Sequence, residues 1–340
     1  MTLWKQGAAL LALGLIWLVL ASTEADAATK VRIGLNAGSV SVAGVFIGVE
    51  RKYFEAEGIE PEVVYFDDPT LITAGVVSGD INVGFLGLAA GTYNAGGNGD
   101  LKLIGMAVDE KAGYRSLAIV TSTKQFDSGL SSIASIKGRK IGVNALGSST
   151  QYAPSVIAKK YGFGLTNQNF APLGALPNII SGIRAGSIDV GIVPGPVAVA
   201  AQKGGDIKII AWVGDEVEFD IAGIFSRADA QQRDALVKFM RGYLKAVGEF
   251  DRTFQTVGAD GRKVVGKEAD ELLTIVARGA RAPVDTFREA LPYLVPDARI
   301  NVGSISDQIN FWKEQKMAPT SVEASKMIDA SILEAALGKP

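Results

Sequence analysis

The sequence predicts an α/β protein of two parallel-sheet lobes joined by a two-strand hinge, with a helical region at its C-terminal end. The first observation is an internal repeat. Gly182-Ile-Arg-Ala-Gly186-Ser-Ile188-Asp-Val190-Gly191 has a double at Gly75-Val-Val-Ser-Gly79-Asp-Ile81-Asn-Val83-Gly84. Upstream, Ile141-Gly-Val-Asn-Ala145 answers to Ile33-Gly-Leu-Asn-Ala37, and downstream Asp206-Ile-Lys-Ile-Ile210 answers to Asp100-Leu-Lys-Leu-Ile104. Gly34 and Gly84 are 50 positions apart, Gly142 and Gly191 49, so one unit is used twice. The second observation is that strand-length apolar runs alternate with helix-length amphipathic ones, the pattern of a parallel sheet with helices on its faces.

In the first unit Val31–Ala37 reads as a strand from its length and β-branched content. Val42–Glu57 reads as a helix with one apolar face, stopped by Gly58. Glu62–Phe66 is the second strand, and Asp68-Pro69 opens a helix over Thr70–Ser78. Ile81–Leu86 and Leu101–Ala107 are further strands around a small-residue helix at Leu88–Ala95. The second unit repeats this with strands at Arg139–Ala145, Gln168–Leu173, Ile188–Val193 and Ile207–Val213. Its helices fall at Thr150–Tyr161, Leu176–Ala185 and Pro196–Gln202. Ser116–Thr121 and Ile221–Ser226 are strand-like runs that follow the two units, and together they predict the hinge. The domain reading is residues 28–115 with 222–340 as lobe 1 and 116–221 as lobe 2. Helical stripes follow at Asp234–Phe254, Lys267–Ala277, Val284–Leu294, Ser304–Lys316 and Val322–Ala336, all read as packing faces.

Residues 1–27 read as a cleaved export signal. Lys5 supplies the positive region, Ala8–Leu20 is uncharged, and Ala25-Asp26-Ala27 has the small-x-small pattern. That apolar core is short for a bilayer span, and without cysteine there is no lipid anchor. Localisation is therefore expected to be periplasmic, with the mature protein outside the membrane. Losing Lys5, Glu24 and Asp26 leaves 33 basic against 34 acidic side chains, no footprint for nucleic acid. The absence of histidine removes histidine triads and histidine metal ligands. Neither metal nor cofactor is expected.

Several short motifs carry a family resemblance: Lys137-Gly138-Arg-Lys-Ile-Gly142, Gly147-Ser-Ser-Thr150, Gly186-Ser-Ile-Asp-Val-Gly191 with its double, and Asp329-Ala-Ser-Ile-Leu-Glu-Ala-Ala336. In their order and spacing the chain resembles periplasmic substrate-binding proteins of ABC importers. The branch it looks like binds sulfonates, taurine, nitrate and thiamine-precursor pyrimidines. The resemblance implies a type II binding-protein fold, a small-molecule ligand held in the cleft, an inner-membrane ABC permease as partner, and a monomer.

In open α/β sheets ligands bind beyond the carboxyl ends of the strands, at helix N-termini whose unpaired amides suit an anion. The repeat selects the same places twice: Asn36–Ser41 with Asn144–Gln151, and Leu86–Leu88 with Val193–Gly195. Candidate contacts are therefore Asn36, Gly38, Ser39, Ser41 and Gly87 in lobe 1, with Gly147, Ser148, Ser149, Thr150, Gln151, Pro194 and Gly195 in lobe 2. Ser148–Thr150 read equally as an ordinary helix cap; the repeat and the resemblance favour ligand contact. Asp68 is either a cap for its helix or an acceptor for a ligand amine. Glu216 and Asp220 lie in an acidic loop beside the hinge, and a carboxylate there facing the cleft implies a ligand with an amino or amide donor. In the matching loop of unit one, Tyr114 offers stacking and Arg115 a bidentate contact. Trp212 reads more as core than as cleft wall, and the apolar Ile192-Val-Pro-Gly-Pro196 departs from the polar or aromatic residues of the sulfonate and nitrate binders.

Gly261-Arg-Lys-Val-Val-Gly266-Lys267 approaches a P-loop, but Glu268 stands where a magnesium-holding hydroxyl is needed. No Gly-x-Ser-x-Gly elbow is present, and an enzyme is not expected. The ligand reading is a small organic anion of the aliphatic sulfonate kind. Its alternatives are an amino-bearing zwitterion, an aromatic carboxylate, a pyrimidine-type heterocycle, or a sensory rather than a transport role.

Overall fold

The structure is a computed structural model that describes residues 28–36, 39–227, 229–259, 261 and 263–338. The expected signal segment 1–27 and Gly38 lie outside these residues. Eleven strands are described: β1 Thr29–Asn36, β2 Ile59–Phe66, β3 Val83–Gly87, β4 Leu101–Glu110, β5 Leu117–Ser122, β6 Ile141–Val143, β7 Phe170–Pro172, β8 Val190–Pro194, β9 Ile207–Trp212, β10 Phe219–Arg227 and β11 Tyr293–Leu294. They form two sheets, in the orders β11-β4-β10-β3-β1-β2 and β7-β6-β8-β5-β9. Helices cover both sheets, so the two-lobe α/β architecture is the observed one.

The repeat is visible as one recurring contact. Gly34 pairs with Gly84 in the first sheet, and Gly142 with Gly191 in the second. A Cβ at Gly34 would lie 2.8 Å from Ile72, and one at Gly191 2.5 Å from Ile179. Each glycine pair thus clears a flat seat for one helix, Pro69–Ser78 on the first sheet and Leu176–Arg184 on the second. Matching residues at matching spacing are here a packing solution used twice.

The connecting strands are exchanged between the sheets. After the first unit the chain enters the second sheet as β5, antiparallel to both β8 and β9. After the second unit it returns as β10, antiparallel to β3 and β4. Each sheet is therefore parallel except for its crossing strand, with the short β11 added antiparallel at the edge of the first.

Three helix boundaries differ from the sequence reading. The run expected as one helix over Val42–Glu57 ends at Glu50, because Lys52 adopts φ +56°. The turn lets Arg51 and Tyr53 both bond Glu249, at 2.9 and 2.7 Å, and lets Phe54 stack on Phe239 with centroids 4.9 Å apart. The stripe at Val284–Leu294 is a helix only to Glu289, since Tyr293 and Leu294 pair with Asp109 and Val108. That at Val322–Ala336 is two short helices, Ala324–Met327 and Ala330–Ala336, separated where Ile328 bridges Leu103. In all three, tertiary contacts override a legible amphipathic period. No helix among the described residues is long and apolar enough to cross a membrane.

Gly195 opens the helix Gly195–Lys203 directly against the first crossing, its amide donating to Ser116 O at 2.9 Å. A Cβ there would stand 1.9 Å from Arg115 O, and a backbone atom cannot step aside as a side chain can. Gly195→Ala is expected to cost about 2–4 kcal/mol. A lowered urea midpoint with an unchanged slope would show it, whereas an unchanged midpoint would mean that this packing is looser than described.

Candidate ligand-binding cleft

The segment after the carboxyl end of β6 meets the segment after that of β3, through Gly147 and Ala90, at the kind of place where open sheets bind ligands. Asn36 closes the end of β1 by donating to the carbonyls of Phe66 and Asp67, at 3.0 and 3.1 Å. Ser39 caps a short 3-10 turn, accepting from the Ser41 amide, and the two hydroxyls are 2.8 Å apart. Ser41 itself is buried. Asp68 is the N-cap of Pro69–Ser78 and accepts from both the amide and the hydroxyl of Thr70 at 2.8 Å. Its capping role is thus observed, and its neighbour Asp67 is the freer, exposed carboxylate of this rim.

Across the gap, Gly147 takes φ +80°, a conformation that glycine alone adopts without strain. Its carbonyl accepts from the Ala90 amide at 2.8 Å, so the second lobe touches the N-terminus of the lobe 1 helix Ala90–Gly97. The Gly147 amide is held by Gln151 Oε1 at 2.7 Å, and Gln151 in turn donates to Asn167. Ser148 donates to Ala145 O at 2.7 Å, while Thr150 reaches Asn144 Oδ1 at 2.6 Å. These hydroxyls therefore shape the loop. The amides of Gln151 and Tyr152 donate to Ser148 O, so what remains for a ligand is the pair of amides at Ser149 and Thr150, which precede the first intrahelical bond. Gly87 lies beside this loop, where an added Cβ would meet nothing nearer than Ile221 O at 3.9 Å.

The other candidates stand elsewhere. Pro194 and Gly195 are buried against the first crossing rather than open to the cleft. Tyr114 is buried, packs edge-on to Tyr293 at 4.9 Å and carries Lys263 Nζ 3.5 Å over its ring; burial pushes its hydroxyl up to about 12. Arg115 pairs with Asp215 and covers Trp212 at 5.0 Å. Glu216 accepts from Tyr161 Oη at 2.9 Å and from Lys160, on the outer side of lobe 2. Of these candidates, Gly147 is hydrogen-bonded across the lobes, to Ala90; Tyr114, Pro194 and Gly195 are buried in packing, and Glu216 pairs with Tyr161 and Lys160.

Sequence reasoning did not single out Ala90, whose amide makes one of the contacts between the lobes, alongside Tyr152 packed on Phe311 and Trp312 and the Lys203–Glu289 pair. It also missed Asp109. Asp109 and Asp220 are direct cross-strand partners, hydrogen-bond each other and have few other partners. Burial, then the Asp220 charge, pushes the Asp109 carboxyl up to about 8. Glu110, 1 % exposed, is raised well above its usual range by burial. An acidic residue at a strand end gives no signal of this kind until the strand pairing is known. A second gap between the lobes, about 780 Å³, lies along helices Ser149–Lys160 and Val302–Glu314 and is walled by Tyr152, Phe163 and Phe311.

Residues 39–250 match the family model described as NMT1/THI5 like. The chain belongs to the NMT1/THI5-like family. No curated protein sequence matches it. Among solved structures, the alkanesulfonate-binding protein SsuA of Xanthomonas axonopodis pv. citri bound to MOPS is similar, with TM-score 0.68 and 17% identity over 88% of this chain and 98% of that one. The periplasmic aliphatic sulphonate binding protein SsuA of Escherichia coli gives TM-score 0.69 and 16% identity over 90% and 99%. The periplasmic nitrate-binding protein NrtA of Synechocystis PCC 6803 gives 0.70 and 11% over 91% and 88%. At these identities the likeness is one of fold, the periplasmic-binding-protein fold that the repeat and the exchanged strands had indicated.

The Asp109 shift predicts a pH dependence of stability for this NMT1/THI5-like chain. The folded state holds a proton that the unfolded state gives up near the ordinary carboxylate value, so folding is penalised increasingly as pH rises toward about 8. Between pH 5 and 8 the wild type should lose about 2–4 kcal/mol more than Asp109→Asn. Parallel urea curves for the two proteins across that range would contradict the assignment.

Proposed function

We propose that the protein is the extracytoplasmic solute-binding component of an ABC import system, closing lobes 28–115 with 222–340 and 116–221 around a small organic anion of the aliphatic sulfonate kind. Its partner would be an inner-membrane permease that reads both lobes in their closed register. The observation that carries this reading is the Gly147–Ala90 contact. It brings the turn that precedes Ser149–Lys160 against the N-terminus of Ala90–Gly97, so a solute bound at that junction would touch both lobes and favour closure by its differential contacts. Family membership and the fold shared with sulfonate and nitrate binders support the same class.

A second reading rests on charge. Asn36–Ser41, Asn144–Gln151 and Leu173–Leu176 contain no lysine or arginine, and the charged side chains of this rim are Asp67 and Asp68. A zwitterion would set its anionic group at the Ser149 turn and its amino group toward Asp67.

Ser149→Pro tests the turn that both readings use, because proline at the first helical position removes an amide while suiting the local backbone, and the choice of ligand with Asp67→Asn separates them. Thermal unfolding is measured with ethanesulfonate, taurine, nitrate and small amines. A ligand at a hundred times its dissociation constant should raise the midpoint by about 4–8 °C. The lead reading expects a rise with ethanesulfonate that Ser149→Pro abolishes. A rise with taurine alone, abolished also by Asp67→Asn, selects the zwitterion. Indifference to every compound would sink the small-solute reading.

A further inference from the structure

Apart from the cleft, a cavity of about 440 Å³ opens where β4 and β10 meet the loop before helix Val302–Glu314. One row of side chains forms its wall. Asp220, Asp109 and Tyr293 are consecutive cross-strand partners on β10, β4 and β11, so all three project from the same face of the sheet. Asp220 is 4 % exposed, and its Oδ2 has no hydrogen-bond partner; Asp109 Oδ1 also lacks one. Buried carboxyl oxygens left unpaired cost free energy unless something supplies the missing donors.

From this row we infer a second ligand site, for a small organic ammonium ion, bounded by Asp109, Asp220 and the Tyr293 ring. Its N–H donors meet the unpaired oxygens of the two acids, and its charge rests against the ring. The protein's own Lys111 already shows that this ring accepts an ammonium, with Nζ 4.3 Å from the centroid. Ser304 lines the cavity beside Asp220 and anchors that strand by accepting from the Asp220 amide at 3.3 Å. A metal ion is a poor fit, since among the described residues no group of three or more acidic, cysteine or histidine side chains is placed to hold one. The charged and titratable groups facing the pair are Lys111 and Arg299, which lower the Asp109 value, Glu110 and Glu218 on the cavity wall, and Tyr243, Tyr93 and Tyr152 from the helices packed against it. Below pH 8 the acids hold a proton that the incoming cation displaces, so affinity should climb toward about tenfold per pH unit.

The test is ligand-observed NMR with ethylammonium as probe, against tetramethylammonium, sodium and magnesium chlorides at equal ionic strength. Saturable ethylammonium binding is expected, tighter at pH 8 than at pH 6. Asp220→Asn and Asp109→Asn should each weaken it more than about tenfold, and Lys111→Met, which removes a competing cation, should tighten it several-fold. Near-UV circular dichroism confirms that each variant is folded. Binding that persists in both acid variants overturns the site, as does tetramethylammonium or magnesium binding equally well. No saturable binding to either wild type or Lys111→Met overturns it too. Because the probe carries no anionic group, these outcomes are independent of whether the cleft binds a sulfonate.

Discussion

The architecture depends on the exchange of one strand between two sheets. β5 is locked between β8 and β9, and β10 between β3 and β4, each antiparallel to its neighbours. Neither lobe can complete its sheet without chain that has come from the other side. The two connections that bound any relative motion of the lobes are therefore extensions of central strands. The close fit of Gly195 on the Arg115 backbone and the Arg115 amide donating to Leu291 O at 2.8 Å lie where the first of them leaves. Under the proposed closure, bending would fall on the few residues at each crossing.

The same junction accumulates the molecule's costly polar groups. Glu110 and Asp220, both buried, and the half-buried Asp109 sit at strand ends beside the crossings, each with a carboxyl oxygen that has no hydrogen-bond partner. Buried acids of this kind lower stability at neutral pH, and a fold tolerates them where they bind something or bias a conformation. The cleft is the opposite case. Its loop hydroxyls are satisfied internally, and its offer to a ligand is backbone amides and space. The turn at Gly147 and the Gln151 brace hold this loop in place, so on the proposed reading a ligand would meet it with little rearrangement.

Much of the fold was legible because the repeat places a glycine pair in register in each sheet, and a conserved spacing within one chain is strong evidence of one structure used twice. The helix breaks at Lys52, Leu291–Leu294 and Ile328 were not legible, since local periodicity holds no trace of the partner that interrupts it. Of the candidate site, the reading at the Gly147–Gln151 turn and the β1 and β3 ends follows from sheet topology and helix N-termini, which the sequence carries. At Tyr114, Pro194 and Glu216 the residue's type suggested a contact, while their burial or pairing is visible only in the fold. Asp109 gave no signal because its meaning lies in the cross-strand neighbours Asp220 and Tyr293.

Because the chain has no cysteine, a pair of engineered ones reports the lobe separation cleanly. Glu60→Cys and Lys137→Cys occupy exposed positions on the two lobes. Pulsed electron–electron resonance between spin labels at these sites would measure whether the lobes move against each other. Closure around a solute predicts a broad or two-component distance distribution in the stripped protein that narrows to its short component with ethanesulfonate or taurine. A single distribution, identical with and without every compound that stabilises the protein, would contradict a mechanism of closing lobes.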